Sequence, residues 1–372
     1  MNIHTQQTAD TASELLRQFA QTDDEAVSAI LTPKNLDDFE NQSTIRNRKY
    51  PACTTLSIFM KQVANENKSC RSALIGHASD QVALGKEVNE TTTGPYCRAR
   101  QRLPESAVKS LLQTSGKNLD DSTSTDYQWN KRRVLLTDGS TLSMPDTLEN
   151  QKEYPQPKSQ KKGLGFPQLR ILVLITLGSG AVLNAEVAAC KGKGTGELAL
   201  LRQMHSSLKS GDILLGDAIY ENYFTLTQLQ QLGVDAVFEK NGARNVDFRT
   251  CTEKLGKKDG LFTLARPPRP KWMSEEIYSQ QPEELTVRMI KHKTRVIVTT
   301  LLDPEAYSAK ELIALYISRW HVELDLRSIK TMMKMDILRC GSPDMVRKEI
   351  YVHLLVYNMI RALMIRAAKK KG

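Results

Sequence analysis

Residues 171–183, ILVLITLGSGAVL, constrain the fold more than any other part of this 372-residue chain. The run is almost wholly aliphatic and carries a Gly-Ser-Gly break. It is too short to span a bilayer, which takes about 20 apolar residues in a helix, and the break reads as a turn. The remaining solution is a hairpin of two buried strands, RILVLITLG and AVLNAEVAAC. Its neighbours extend the pattern. RRVLLTDGSTLSMPD opens with a compact apolar run, 134–136, and reaches Asp138 at the end of that run. GELALLRQMHSSLK reads as a helix, GDILLGDAIY as a short strand ending at Asp217, ENYFTLTQLQQLG as a helix and VDAVFEK as a strand. The order β-β-β-α-β-α-β predicts an α/β fold with a mixed sheet.

Around that core the chain divides into four parts. Residues 1–125 show helical periodicity, as in SELLRQFAQ, TTLSIFMKQVANE and PESAVKSLLQ, and Arg98, Arg100 and Arg102 lie close together in YCRARQRLP. A helical, Arg-bearing unit suits DNA binding; an ordinary helical domain with solvated arginines is the alternative. Residues 126–240 hold the first part of the sheet, including a loop rich in Lys, Gln and Pro, QKEYPQPKSQKKGLGFPQ, that is either mobile or DNA-contacting. Residues 241–305 break the rhythm with turns and strand-like pieces and read as a β-rich insertion with a basic face. Residues 306–372 return to long helices.

The formal net charge of +10 favours a polyanionic partner, nucleic acid or an acidic membrane surface. The six cysteines are scattered, with no CxxC pair and no Cys/His cluster at zinc spacing, so they read as reduced thiols. The amino terminus, MNIHTQQTADTASELL, is polar and lacks an apolar signal core. The expectation is a soluble cytoplasmic protein with no membrane partner.

The segment ELIALYISRWHVELDLRSIKTMMKM carries the strongest local signal. Drawn as one continuous helix with Tyr316 at the origin, it sets Arg319, Glu323, Arg327, Lys330 and Lys334 within a sector of roughly 80°. Apolar residues fill the flanks and back, which predicts a largely buried helix. A solvated salt-bridge face, with Glu323 and Arg327 as an i,i+4 pair, is the ordinary reading of such charges. Here one carboxylate stands among four cations, too few for mutual pairing. A stripe that faces a phosphate backbone and aims one carboxylate at a metal accounts for both facts.

Tyr316, Arg319, Glu323 and Lys330 fit the spacing Y-x2-R-x3-E-x6-K. This resembles the YREK signature of the DDE transposases of insertion-sequence family four. DGST at 138–141 and GDAIY at 216–220 resemble the two upstream Asp motifs of that family, in the expected order. SCRSAL and YCRARQRLP extend the likeness, which covers about residues 50–365. Where some relatives carry an aromatic or an arginine after the second Asp, this chain has Ala218 and Ile219.

The resemblance implies a ribonuclease H-like catalytic fold interrupted by a β-rich insertion before the Glu323 helix, and the helical unit that precedes it is expected to be a DNA-binding domain. It implies Asp138, Asp217 and Glu323 as catalytic carboxylates that hold Mg²⁺ or Mn²⁺, two ions in all. The implied activity is cleavage at transposon ends and strand transfer into target DNA. The implied partners are double-stranded DNA and a second copy of the chain in the DNA complex, and the implied location is the bacterial nucleoid. Arg327 and Lys334 join Tyr316, Arg319 and Lys330 as DNA-contacting candidates. Trp272, in RPPRPKWM, is a candidate for stacking on a flipped base, against the rival reading of a Trp in the core of the insertion. Two other functions fit: an inactive protein that only binds transposon ends, and a ribonuclease H-fold nuclease that only hydrolyses DNA. Each aspartate also has a structural rival, Asp138 as a turn residue before Gly139 and Asp217 as a helix cap. Asp146 and Asp212 lie nearby and are read as decoys.

Overall fold

The computed structural model describes residues 29–43, 50–83, 85, 92–123, 125–161, 163–242, 246–320 and 334–369. Among the described residues, the helices α1 (Pro33–Gln42), α2 (Ala52–Ala64), α3 (Cys70–Ala83), α4 (Thr93–Arg102) and α5 (Glu105–Asp121) precede the first strand. The first starts on a capping box between Thr32 and Asn35, with Pro33 where a missing N–H costs nothing. Next come β1 (Val134–Ser143), α6 (Leu148–Glu153), β2 (Gln168–Thr176), β3 (Val182–Ala189), α7 (Glu197–Gln203), β4 (Ile213–Gly216), α8 (Tyr223–Gln231) and β5 (Asp235–Glu239). β6 (Glu253–Gly256), β7 (Asp259–Ala265), α9 (Glu275–Ser279), β8 (Glu284–His292) and β9 (Arg295–Thr299) form the insertion. α10 (Ala309–Ile317) and α11 (Pro343–Lys369) follow it.

Among the described residues the strands form one nine-stranded mixed sheet, in the order β3-β2-β1-β4-β5-β9-β8-β7-β6. β1, β4 and β5 are parallel; every other pairing is antiparallel. The insertion is therefore not a separate sheet. β9 pairs with β5 from Val237↔Thr299 to Glu239↔Ile297, so the added strands continue the core sheet.

Alternate residues of a strand face opposite ways, and here both directions are apolar. Leu135, Leu172, Leu174, Leu214, Ala236 and Phe238 pack with Leu200 and Leu201 of α7 and Leu226 and Leu229 of α8. Val134, Leu136, Val173, Ile213, Leu215 and Val237 face the other way, with Leu112 of α5 and Leu355 of α11. Burial on both faces explains why the hairpin reads as an unbroken aliphatic run instead of an alternating one. Phe39 of α1 and Phe59 of α2 belong to the same buried cluster as α5 and α11. α1, α2 and α5 thus share a core with the sheet across the boundary expected near residue 125, while Ala73 and Leu74 of α3 and Tyr96 and Ala99 of α4 form a cluster of their own with Tyr50 and Ile58.

α11 has the length and composition to cross a membrane, yet most of its apolar window is buried inside the protein. Its Asn358 amide accepts from Val182 N at 2.8 Å and donates to Val182 O at 3.0 Å, closing part of the β3 edge. The insertion has its own anchor. Arg288, 1% exposed on β8, makes a two-pronged pair with Asp259 at 2.9 and 2.6 Å and donates to Tyr307 O at 2.7 Å.

Candidate active site

β1 and β4 run parallel in the register Val134↔Ile213, Leu135↔Leu214, Leu136↔Leu215. Carried two residues further, that register sets Asp138 level with Asp217. β4 ends at Gly216, whereas β1 continues to Ser143 because β2 still pairs with it, Asp138 opposite Val173. Asp138 is therefore a mid-strand residue and not a turn residue. It stands where its neighbour strand has stopped, at the carboxyl ends of parallel strands, where side chains of different elements converge. Asp217 is not a helix cap: Asn222 caps α8 by accepting from Thr225 N at 3.0 Å. Asp217 Oδ1 instead accepts from Ile219 N at 2.8 Å within its own turn. The two decoys lie elsewhere, Asp212 buried in an ion pair with Arg133 at 2.6 Å and Asp146 exposed and bonded to Gln151.

Burial pushes the Asp138 carboxyl up to about 6, and the negative charges of Asp217 and Glu197 push the same way. The Gly139 N–H, donating to Asp138 Oδ1 at 2.9 Å, and the Arg319 guanidinium pull against them. The sequence reading passed over Glu197, the first residue of α7. A Cβ built on Gly139 would lie 2.6 Å from Glu197 Oε1, so the carboxylate occupies the space that a side chain at 139 would need. Tyr220 donates its hydroxyl to Glu197 Oε2 at 2.9 Å. Its ring folds back over Gly216, where a Cβ would come within 2.6 Å of Tyr220 Cδ2. The glycines of both Asp motifs, DG and GD, are thus explained by close approach. The available sequence signal for Glu197 was a carboxylate opening a helix directly after the glycine-rich turn GKGTG.

The helical half of the site departs from the drawn wheel. α10 ends at Ile317, and the N–H groups of Ser318 and Arg319 bond back to Leu315 O and Tyr316 O. The Ser318 hydroxyl donates to Leu315 O at 2.6 Å, which competes with helix continuation. The pattern predicted one helix through this point; the turn at Ser318 and Arg319 interrupts it. Tyr316 is buried and donates its hydroxyl to Glu239 Oε2 at 2.7 Å, at the end of β5. Arg319 is 8% exposed, with its guanidinium near the rings of Tyr316 and Trp320. Lys334 pairs with Glu66 at 2.9 Å. Glu323, Arg327 and Lys330 lie outside the described residues.

The remaining candidates are spread out. Trp272 is 45% exposed and packs outside the β-rich part of the insertion, with Arg202 of α7 at 3.9 Å from its ring centre and Phe224 of α8 edge-on at 6.2 Å. On α4, Arg98 and Arg102 are exposed one turn apart, but Arg100 turns inward onto Gln62 at 2.7 Å and the Phe59 ring.

Among the described residues no three His, Cys, Asp or Glu side chains form a metal-binding group. Two of the three expected carboxylates do converge there. They are hard oxygen donors of the kind Mg²⁺ and Mn²⁺ take, and the Asp138 carboxyl, raised chiefly by burial and further by Asp217 and Glu197, is one whose ionised form a divalent cation would favour. The donor chemistry fits.

The chain is 27% identical over 283 residues to the transposase InsG for insertion sequence element IS4 of Escherichia coli strain K12, covering 73% of this chain and 61% of that protein. It is 31% identical over 65 residues to the transposase for insertion sequence element IS421 of Escherichia coli, 18% of each chain. It thus spans about three fifths of the length of the InsG relative. The family model described as transposase DDE domain matches residues 129–359. That span is more than half of the chain and holds the whole described sheet with Asp138 and Asp217, so the chain belongs to the transposase DDE domain family, with the ribonuclease H-like fold that this implies.

Proposed function

We propose that the chain is a transposase that cuts at transposon ends and joins the freed ends to target DNA, with Asp138, Asp217 and Glu323 as its catalytic carboxylates. The observation that carries the reading is the β1–β4 register, which aligns Asp138 with Asp217 beside Arg319 in a chain of this family. Domains of the family generally use divalent metal ions. Two Mg²⁺ or Mn²⁺ ions held by the three carboxylates would activate the attacking oxygen and stabilise the leaving one.

The residues themselves do the holding. Strand pairing fixes Asp138, and a tight turn fixes Asp217. Arg319, tucked beside them, offsets the charge of the phosphate that enters. A water oxygen attacks the phosphodiester at the transposon end, which frees a 3′-OH on the transposon strand and leaves the phosphate on the 5′ end of the flanking DNA; that 3′-OH then attacks a phosphodiester of the target and displaces a target 3′-OH. Neither step needs a protein nucleophile. Arg98 and Arg102 contact the DNA backbone from α4, while Arg100 serves the fold. Arg327, Lys330 and Lys334 contact phosphates near the cut, and two copies of the chain act together on double-stranded DNA in the bacterial cytoplasm.

The test is Mg²⁺-dependent nicking of a plasmid that carries the transposon ends, followed by strand transfer. Asp138→Ala, Asp217→Ala and Glu323→Ala are each expected to reduce cleavage to background while gel-shift binding of the ends persists. Near wild-type cleavage by any of the three removes that residue from the site. Wild-type protein that binds ends without cutting is an end-binding protein, and cutting without strand transfer marks a nuclease.

A further inference from the structure

We infer that Glu197 is a positioning residue of the same site, held against Gly139 by the Tyr220 hydroxyl so that it fixes the Asp138 main chain and strengthens divalent-cation binding. The inference rests on the reading of Asp138 and Asp217 as cation ligands.

Three observations converge on it. The Glu197 carboxylate lies directly over the Cα of the residue that follows Asp138, in space open only because residue 139 is glycine. Its other oxygen takes the hydroxyl of Tyr220, which is fully buried and stands three residues after Asp217. One side-chain contact therefore ties together the backbones that carry the two aspartates. The third observation is electrostatic. Glu197 is mostly buried, and among the described residues the cation paired with it is Arg170 at 3.9 Å.

A purely structural role does not need that charge. To accept a hydrogen bond from Tyr220 and to fill the space over Gly139, a neutral glutamine would serve, without the cost of setting a third negative charge beside two carboxylates. The position at the start of α7 does favour an anion, but a helix of seven residues offers little, and Asp or Glu anywhere in its first turn would gain it. A carboxylate at this spot is accounted for by a cation that all three charges attract. It then acts on Asp138 through the main chain at Gly139 and through its charge, one step outside the metal ligands.

The experiment is titration of the metal-free, DNA-free full chain with Mn²⁺ alone, followed by calorimetry and by the Mn²⁺ paramagnetic resonance signal. Glu197→Gln keeps the size and the acceptor for Tyr220 and removes the charge. It is expected to weaken Mn²⁺ binding on the order of tenfold, with an unchanged or higher melting temperature in chelator. Asp138→Asn is expected to lose Mn²⁺ binding altogether. If Glu197→Gln binds Mn²⁺ like wild type while Asp138→Asn does not, the role of Glu197 is overturned and the site reading stands. If Asp138→Asn also binds like wild type, the site reading falls and this inference falls with it. Should Glu197→Gln fail to fold, Tyr220→Phe reads the same contact, since it frees the carboxylate and keeps the ring. It must weaken Mn²⁺ binding too, and wild-type affinity in that variant overturns the inference.

Discussion

The central strands and the insertion strands belong to one sheet but are held by different means. The apolar residues of β1, β4 and β5 are buried on both faces under two helical layers, whereas β6 and β7 are only partly covered. The carboxylates stand on the first group, where many interchangeable aliphatic contacts fix the backbone and no single one decides it. β8 and β9 enter the same buried clusters through Leu285, Val287, Met289, Ile290, Ile297 and Val298, and the insertion adds specific contacts to them: the Arg288–Asp259 pair, and Trp272 against Arg202 and Phe224. The strands that carry the aspartates rest on redundant packing, and the insertion adds point contacts where β6 and β7 lose part of that cover.

The largest expected effect tests that division directly. Arg288→Met leaves Asp259 without its buried partner and should cost about 3–5 kcal/mol. Hydrogen exchange should localise the loss to β7 and β8, with protection in β1 and β4 retained. Equal loss of protection in the central strands would mean that the two regions unfold as one unit, and the comparison would fail.

A smaller effect is expected at Asp138. Its folded-state carboxyl is raised to about 6 from an ordinary 3.8, so in metal-free protein its ionisation opposes folding. The stability this group supplies is present below its unfolded value and is lost as pH rises through about 6. Asp138→Asn should therefore melt above wild type at about pH 8, with the gap closing by about pH 4. A gap that is constant with pH would show that desolvation and the neighbouring charges do not act on this carboxyl. The smallest effect belongs to Trp272→Ala, which loses a half-exposed cation–π contact of about 1 kcal/mol. Melting should shift only slightly, and nicking should persist. Loss of the step after nicking at the transposon end would support base stacking by this ring, whereas unchanged progress through every step would leave it as a packing residue.

How much of this was legible in the sequence differs between the two halves of the site. Asp138 and Asp217 follow apolar runs short enough to be strands, so local pattern was sufficient to find them. The helix break at Ser318 was not visible, because Ile317 and Ser318 suit a helix and the stop is set by hydrogen bonds back to Leu315 and Tyr316. Glu197 depends on Gly139 and Tyr220 meeting it from two other elements, which no local pattern records. Arg100 was different: a spacing of two residues on a helix puts it opposite Arg98 and Arg102, so its inward turn could have been read from the 3.6-residue period. The shared core of α1, α2 and the sheet was hidden for the same reason as Glu197, since it rests on contacts between distant segments.

Asn358 has a consequence for how copies of this chain can meet. An outer strand with free N–H and C=O groups is a template for another chain, the usual start of misassembly through added strands. At β3 the Val182 groups are already taken by an amide that imitates a neighbouring strand with one donor and one acceptor. At the opposite border, β6 is only four residues long and begins with exposed Glu253 and Lys254, which discourage pairing by brevity and charge. In the folded chain each border thus carries a device against strand addition, a borrowed amide at Val182 of β3 and charge at β6.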